Sequence, residues 1–437
     1  LIKEISMSKE ENRKNFSKYV SQNILGMIGF SCYVLADSYF ISIAKGADGL
    51  TALNLVMPLY SIIFSIGEMI GVGSAIRYAI SKIKKDADAD DYFWNALIWC
   101  ILSSMLFVFA GIFFSADIMR VLGADEHIVA VGNNYTKIFM CFAPMFMCNY
   151  VTNAFVRNDG APGIAMSATL FSSLFNIVFD YILMFPMNLG MEGAALATAL
   201  SPIIGMGICS IHFFSKKSSV RLVVCKPSVR KLVAGCQLGV SAFVGEMSSA
   251  VITLAFNFVI LKLAGNVGVA AYGVVANIAI VTTAVFNGVA QGSQPLISSC
   301  FGRGDKDGCT QLKRMGYTTA FVLAAVMYSI LFIFAGQFVA VFNSEGSEML
   351  RLYATEGVKL YFIGIFFAGI NIVGGGAFSA TEDAFKAAVV SVARGFVLIL
   401  GAVFVMSAFF GMAGVWLAYA VAEGITTFIM LVMAMRV

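Results

Sequence analysis

Long apolar segments with few or no charged residues follow one another along the whole chain. Ten of them are 23 to 40 residues long, and an eleventh has 49 residues. A helix needs about 20 mostly apolar residues to cross a bilayer, so each of the ten supports one crossing. The eleventh, 387–435, is long enough for two crossings, with the turn predicted at 409–414. The other segments are 19–44, 49–76, 92–116, 128–156, 160–191, 193–215, 232–261, 263–302, 315–344 and 357–381.

The composition agrees with a chain that lies mostly in a membrane. Hydrophobic residues make up 59% of the 437 positions and charged residues 12%, whereas soluble proteins have about 50% and about 25%. Soluble enzymes and nucleic-acid-binding proteins are therefore excluded. The nine cysteines are scattered and the two histidines have no ligand spacing, so neither a disulfide framework nor a metal site is expected.

The basic residues predict the orientation in the membrane. With a cytoplasmic N-terminus, the segments on the inner side hold 21 Lys and Arg residues and those on the outer side hold 4. Cytoplasmic loops carry such an excess of positive charge. Both termini are therefore predicted to lie in the cytoplasm, which requires an even number of helices.

The two halves of the chain resemble each other. Gly46, Gly73 and Ser74 correspond to residues 219 positions later, and the segment that begins at Gly190 corresponds to the one that begins at Gly411. Each half thus contains six helices and has the same topology. The predicted fold is all-α, with twelve transmembrane helices in two parallel-repeat six-helix lobes around a central cleft. The predicted units are an N-lobe (1–214), a cytoplasmic linker (215–231) and a C-lobe (232–437).

Six motifs in the same order resemble the bacterial branches of the multidrug and toxic compound extrusion (MATE) family. They extend from the first helix to the last quarter of the chain. The segments are LADSYFI at 35–41, FVRNDGAP at 155–162, NIVFDY at 176–181, GMEGAALAT at 190–198, QGSQPLI at 291–297 and the GMAG repeat at 411–414.

The resemblance implies a secondary active antiporter rather than an enzyme. Such a protein exports organic, often cationic, compounds by alternating access in exchange for Na⁺ or H⁺. Its partners are expected to be small organic substrates and the lipid bilayer, without nucleic acid, ATP or a cofactor. The chain contains no Walker A motif. A monomer in the cell membrane, the inner membrane where there are two, is expected.

The resemblance also implies an ion-coupling site in the N-lobe, formed by Asp37, Asn176, Asp180 and Thr198. An ionisable residue at membrane depth costs about 2.5–3.5 kcal/mol on insertion scales and usually has a function. Two carboxylates, an amide oxygen and a hydroxyl suit Na⁺ or a shared proton. The alternative is that each carboxylate only pairs with a polar neighbour.

Five further residues are candidates for binding the substrate. Glu246 matches an acidic position that some branches of the family use, although the matching acidic residue of helix 10 is replaced here by Asn371. The other candidates are Glu68, Met145, Gln294 and Glu423. Glu68 and Glu423 either line the cleft and attract cations or snorkel and pair with a backbone group, and the structural pairing is slightly favoured.

The closest alternative function is a lipid-linked oligosaccharide flippase of the same superfamily. Flippases of this kind usually line the cavity with several Arg and Lys residues that hold a pyrophosphate. Here only Lys137, Lys359 and Arg394 lie at membrane depth, which favours the exporter. A channel, a major-facilitator carrier and an intramembrane enzyme are each less consistent with the repeat and the motifs.

Overall fold

The computed structural model describes residues 9–342 and 346–435, and these residues contain helices and no strand. The first half consists of α1 (Lys9–Gly46), α2 (Asp48–Lys84), α3 (Asp91–Val121), α4 (Glu126–Cys141 and Ala143–Asn158, bent by 46°), α5 (Pro162–Met184) and α6 (Gly190–Phe213). In the second half, α7 and α8 are the two parts of Val229–Gly302, which divides at Gly265. They are followed by α9 (Lys306–Ile333), the short helix Ala335–Phe342, α10 (Glu348–Ala380), and α11 and α12, the two parts of Ala384–Ala434.

The predicted all-α fold with twelve helices is confirmed for the described residues. The last apolar segment divides at Gly411, inside the predicted turn. The predicted linker covers 215–231, while in the structure α6 ends at Phe213 and α7 begins at Val229.

Four glycines with positive φ form the sharp turns at one end of the molecule. Gly46 and Gly265 have φ of 58° and 61°, and Gly190 and Gly411 have φ of 52° and 58°. A Cβ at Gly46, Gly265 or Gly411 would meet nothing within 4 Å. These three turns therefore need glycine for its backbone conformation and not for lack of space, since only glycine adopts positive φ freely. Gly46 corresponds to Gly265 in the sequence repeat, and Gly190 corresponds to Gly411. The two halves therefore share the backbone conformation of these turns as well as the residues.

The helices pack around two separate hydrophobic cores, one in each half. Tyr135 and Phe139 lie in the core of the first half, and Phe286 and Trp416 lie in the core of the second. The start of α1 is an exception because Val20 is buried in the core of the second half. We call the two halves the N-lobe and the C-lobe.

The two ends of the molecule differ in the contacts between the lobes. We call the end that carries residues 214–228 the linker face and the end that carries the four glycine turns the hairpin face. Towards the linker face, a Cβ at Gly73 of α2 would lie 2.0 Å from the Gly235 oxygen of α7, and one at Gly292 of α8 would lie 2.8 Å from Val20 Cα of α1. Glycine therefore lets the helix backbones of the two lobes touch there.

Candidate ion and substrate sites

A cavity of about 220 Å³ lies between the lobes and is lined by both of them. Three of the predicted substrate-binding residues, Glu68, Gln294 and Glu246, lie on its wall. Met145 is 37% exposed and Glu423 is buried, and neither belongs to the lining of this cavity. The structure therefore brings three of the five candidates together.

The cavity ends towards the linker face in a chain of polar contacts between the lobes. Arg157 at the end of α4 is 4% exposed, and its Nη1 donates to Gln291 Oε1 of α8 at 2.8 Å. Gln291 Nε2 in turn donates to Glu68 Oε1 of α2 at 3.2 Å. Nearer the linker face, Arg77 forms an ion pair with Glu382 of the other lobe. These contacts close the cavity on that side.

Arg157 is a cavity residue that the sequence analysis did not identify. It lies next to the loop that joins α4 to α5, and a basic residue beside a loop is ordinarily solvated. The one signal that distinguishes Arg157 from the other basic residues of that face is its place in the FVRNDGAP motif, which the sequence analysis used only for the resemblance. Lys137 and Lys359, which the sequence placed at membrane depth, do not line the cavity, whereas Arg394 does.

The four predicted ion-coupling residues come from three helices of the N-lobe and are all buried. Asp37 is 6% exposed, Thr198 2%, and Asn176 and Asp180 0%. Asn176 Nδ2 donates to Thr198 Oγ1 at 3.2 Å. The rings of Phe40 and Tyr181, which lie close to Asp37 and Asp180 along the chain, have a centroid distance of 6.3 Å. None of the four lines the central cavity. They form a separate site beside it.

This site contains buried oxygens that accept no hydrogen bond. They are both carboxylate oxygens of Asp180, Oδ1 of Asp37 and Oδ1 of Asn176, for which the described residues supply no donor. Leaving one such buried group unsatisfied costs about 1–3 kcal/mol, so a donor or a cation bound here would stabilise the site. No group of three or more His, Cys, Asp or Glu residues suited to a metal ion occurs within 9–342 and 346–435.

Tyr33 connects the acidic site to the cavity. It lies one helical turn before Asp37 on α1, so both side chains share one face of that helix. Tyr33 also lines the cavity. The sequence analysis did not select Tyr33, because an aromatic residue in an apolar helix ordinarily packs in the core or faces lipid.

The two acidic residues of the cavity wall have different surroundings. Glu68 accepts the hydrogen bond from Gln291 described above. Glu246 of α7 is half-buried, and it has no hydrogen bond or ion pair with any residue in the described part of the chain. A carboxylate without a partner on a cavity wall is available to a positively charged ligand.

The C-lobe contains a buried ion pair at the corresponding depth. Arg394 of α11 donates through Nη2 to Glu423 Oε1 of α12 at 2.7 Å. Asn371 Nδ2 of α10 donates to Glu423 Oε2, also at 2.7 Å. Glu423 is 2% exposed and lies behind Arg394. Its carboxylate is therefore already paired, with Arg394 on one oxygen and Asn371 on the other.

The repeat shows that the C-lobe lacks an equivalent of the acidic site. The offset of 219 pairs Asp37 with Phe256, and the offset of 221 pairs Thr198 with Tyr419. Phe256 contacts Tyr361 at a centroid distance of 5.9 Å, and Tyr361 stacks on Tyr419 at 4.3 Å. Aromatic rings therefore fill the region that corresponds to the ion site of the N-lobe.

A fold of twelve helices in two repeated lobes, with a polar cavity between them and buried carboxylates beside it, is that of a membrane transporter. The sequence model of the MatE family matches residues 23–182 and 242–405, once in each half. The chain therefore belongs to the MatE family, the MATE family of the resemblance above. Its members are transport proteins and not enzymes.

Individual relatives agree with this assignment. The multidrug export protein MepA of Staphylococcus aureus is 26% identical over 414 residues, which covers 92% of this chain and 89% of the relative. A solved outward-facing structure of a multidrug resistance MATE family transporter of the MOP superfamily has a TM-score of 0.91 and 20% identity, and 97% of this chain and 96% of that chain are covered. A MOP superfamily transporter from Pyrococcus furiosus, whose reversed pocket polarity suggests a different function, has a TM-score of 0.90 at 20% identity with the same coverage.

Proposed function

We propose that this transporter is a secondary active antiporter that exports organic, often cationic, compounds in exchange for Na⁺ or H⁺. It acts as a monomer in the cell membrane, by alternating access, without ATP or a cofactor. The similarity to the multidrug export protein MepA supports the substrate class. The observation that carries the proposal is the buried acidic site of the N-lobe, which has oxygens without donors and lies beside the cavity but separate from it.

The geometry supports a coupling role for this site. Asp37, Asp180, Asn176 and Thr198 would hold the ion, which satisfies the oxygens that the protein leaves without donors. Two carboxylates in a poorly hydrated site repel each other, and an added positive charge relieves that repulsion. Tyr33 lines the cavity together with Glu246 and lies one helical turn from Asp37, so a positive charge in the acidic site weakens the binding of a second one in the cavity.

The contacts between the lobes support an outward-facing state. Arg157, Gln291 and the glycine contacts close the cavity towards the linker face, and the excess of basic residues favours the cytoplasm for that face. Both termini then lie in the cytoplasm. In this state an external ion binds beside α1 and the compound leaves the cavity. After the linker face has opened, the ion is lost to the cytoplasm, and the next compound then binds at Glu246.

Coupling through the N-lobe alone follows from the difference between the lobes. Phe256 and Tyr419 occupy the C-lobe positions equivalent to Asp37 and Thr198, and Glu423 is already paired with Arg394. The C-lobe therefore offers the compound a binding surface, with Glu246 as its free carboxylate.

Transport into proteoliposomes tests this proposal. Purified protein is reconstituted without nucleotide, and uptake of a fluorescent cation is followed while a Na⁺ gradient or a pH gradient is imposed separately. Uptake driven by one gradient, absent from protein-free vesicles, is the expected result. Uptake that neither gradient changes would contradict antiport.

The lipid-linked oligosaccharide flippase gains one supporting observation, since Arg157 and Arg394 both line the cavity. Each already has a partner, however, and two carboxylates share the wall with them. Scrambling of a fluorescent lipid-linked oligosaccharide by the same vesicles, without gradient-driven cation uptake, would replace the exporter by the flippase.

A further inference from the structure

We propose that Arg394 is a subsite for a carboxylate group of the transported compound. This inference rests on the proposed function, because it requires that the compound occupies the central cavity. In this proposal the cavity binds two groups of the compound: Glu246 binds a positive group and Arg394 binds a carboxylate.

The ion pair of Arg394 and Glu423 is oriented with its positive end towards the cavity. The side chain of Arg394 is 17% exposed and that of Glu423 is 2% exposed. Arg394 lines the cavity, and Glu423 does not. A compound in the cavity therefore meets a guanidinium whose counter-charge lies behind it.

Glu423 occupies only one edge of the guanidinium. Arg394 Nε donates to Glu423 Oε1 at 3.0 Å, and Nη2 donates to the same oxygen at 2.7 Å. Arginine carries five N–H donors in a planar fork. The Tyr419 side chain also contacts the guanidinium, so a ligand binds through the N–H groups that Glu423 and Tyr419 leave. Asn371 Nδ2 donates both to Glu423 Oε2 at 2.7 Å and to the Glu423 backbone oxygen at 2.9 Å, which holds the Glu423 side chain and orients the arginine in turn.

Stability does not require a charged residue at this position. Replacing a buried ion pair by apolar residues of similar volume is often neutral or stabilising. A pair placed with its positive member on a cavity wall is therefore better explained by recognition than by the stability of the lobe.

The local backbone places Arg394 beside the helix that carries Glu246. Residues Ala393–Val397 form a π-helical turn in α11, a distortion that is frequent at functional sites. A Cβ at Gly395 in this turn would lie 2.5 Å from Ser248 Cβ and 3.5 Å from Val244 Cγ1. Since these two residues flank Glu246 on α7, the free carboxylate and the guanidinium lie at one level of the cavity, on neighbouring helices.

This arrangement complements a compound with one positive and one negative group. A guanidinium binds a carboxylate through two parallel hydrogen bonds, and Glu246 binds the positive group. Arg394 pairs with Glu423 rather than with Glu246, so the two charges of the wall remain separate.

Two dyes that differ in a single group test the subsite. Tetramethylrhodamine carries a cationic ring system and a carboxylate, and its methyl ester carries the cationic ring system alone. Fluorescence anisotropy gives the Kd of each dye for the purified protein, and gradient-driven vesicle uptake gives the transport rate. The measured quantity is the ratio of acid to ester affinity, in which effects common to both dyes cancel.

The main variant removes both charges of the pair, Arg394→Gln with Glu423→Gln, so that no buried charge is left alone. We expect the ratio to fall about tenfold or more, the loss typical of a charge-assisted hydrogen bond. Glu423→Gln alone leaves the guanidinium without its counter-charge, and the ratio should rise. Lys359→Gln, which removes a C-lobe cation that does not line the cavity, is the matched control and should leave the ratio unchanged.

Three other outcomes contradict the subsite, and one of them also contradicts the proposed function. An unchanged ratio in the double variant shows that Arg394 only ties α11 to α12, and wild-type protein that binds the ester but not the acid likewise rejects the subsite. If wild-type protein neither binds nor transports either dye, the proposed function fails together with this inference.

Discussion

At the scale of single residues, the acidic site combines two buried carboxylates, and three of their four oxygens accept no hydrogen bond from the described residues. We predict that Asp37→Asn or Asp180→Asn abolishes gradient-driven efflux while the protein still folds and inserts, because an amide costs less to bury than a carboxylate. Efflux and ion binding by the purified single variants are the measurements. Asp117→Asn, at a side chain that is 63% exposed, is the control. Near-normal coupled efflux by either variant would remove that residue from the site.

Glu246 is expected to bind the substrate without coupling its transport. We predict that Glu246→Gln raises the KM for a cationic dye about tenfold, because a hydrogen bond to a charged group contributes about 1.5–3 kcal/mol. The stoichiometry of exchange, measured as ions moved per dye, should stay as in the wild type. Glu356→Gln, at an exposed carboxylate of α10, is the matched control. Loss of transport of every compound tested would instead place Glu246 in the coupling site.

The sequence predicts these residues to different degrees, for a physical reason. Asp37 and Asp180 stand out because a carboxylate in an apolar segment is costly, and the structure places them together. Arg157 does not stand out, since its burial at 4% exposure depends on packing against the other lobe. The pairing of Glu423 with Arg394 could not be predicted for the same reason. The contact joins two helices, and the sequence does not show which of their residues lie side by side.

At the scale of helices, glycine has two separate functions in this fold. The four glycine turns of the hairpin face need positive φ, and the repeat in the sequence marks all four. Gly73, in contrast, has ordinary helical geometry and is needed because the Gly235 oxygen would lie 2.0 Å from its Cβ. The bend within α4 lies at Pro144, a residue type that interrupts helices, and the sequence analysis did not use this signal. The π-helical turn of α11 lies within a continuous apolar segment and was not predicted.

The contact at Gly73 gives a prediction about the conformational equilibrium. We predict that Gly73→Ala separates α2 from α7 and favours the state that is open on the linker face, because its methyl group does not fit the closed contact. Spin labels at positions 85 and 306, exposed on the two lobes, should move apart in double electron–electron resonance. Gly207→Ala, where a Cβ meets nothing within 4 Å, is the control. Identical distance distributions in both variants would contradict the prediction.

At the scale of the whole molecule, the two lobes have the same fold but differ in their buried polar and aromatic residues. Both lobes use the same glycine turns and six helices, yet one contains the buried carboxylates Asp37 and Asp180 and the other has aromatic rings, Phe256 and Tyr419, at positions equivalent to the acidic site. The repeat thus specifies the scaffold, while the few positions at which the halves differ form the proposed ion site. Alternating access requires both lobes to move, but only one of them has to bind the ion.

The direction of transport depends on which face of the molecule lies in the cytoplasm. The linker face carries most of the basic residues, and the charge bias of short loops sets orientation during insertion. In a background without the nine native cysteines, we predict that Asp117→Cys near the hairpin face is labelled by an impermeant maleimide added to intact cells. Lys217→Cys on the linker face should be labelled only after permeabilisation. Both side chains are exposed, so burial does not explain a difference between them, and the reverse pattern would make the cavity described here open towards the cytoplasm.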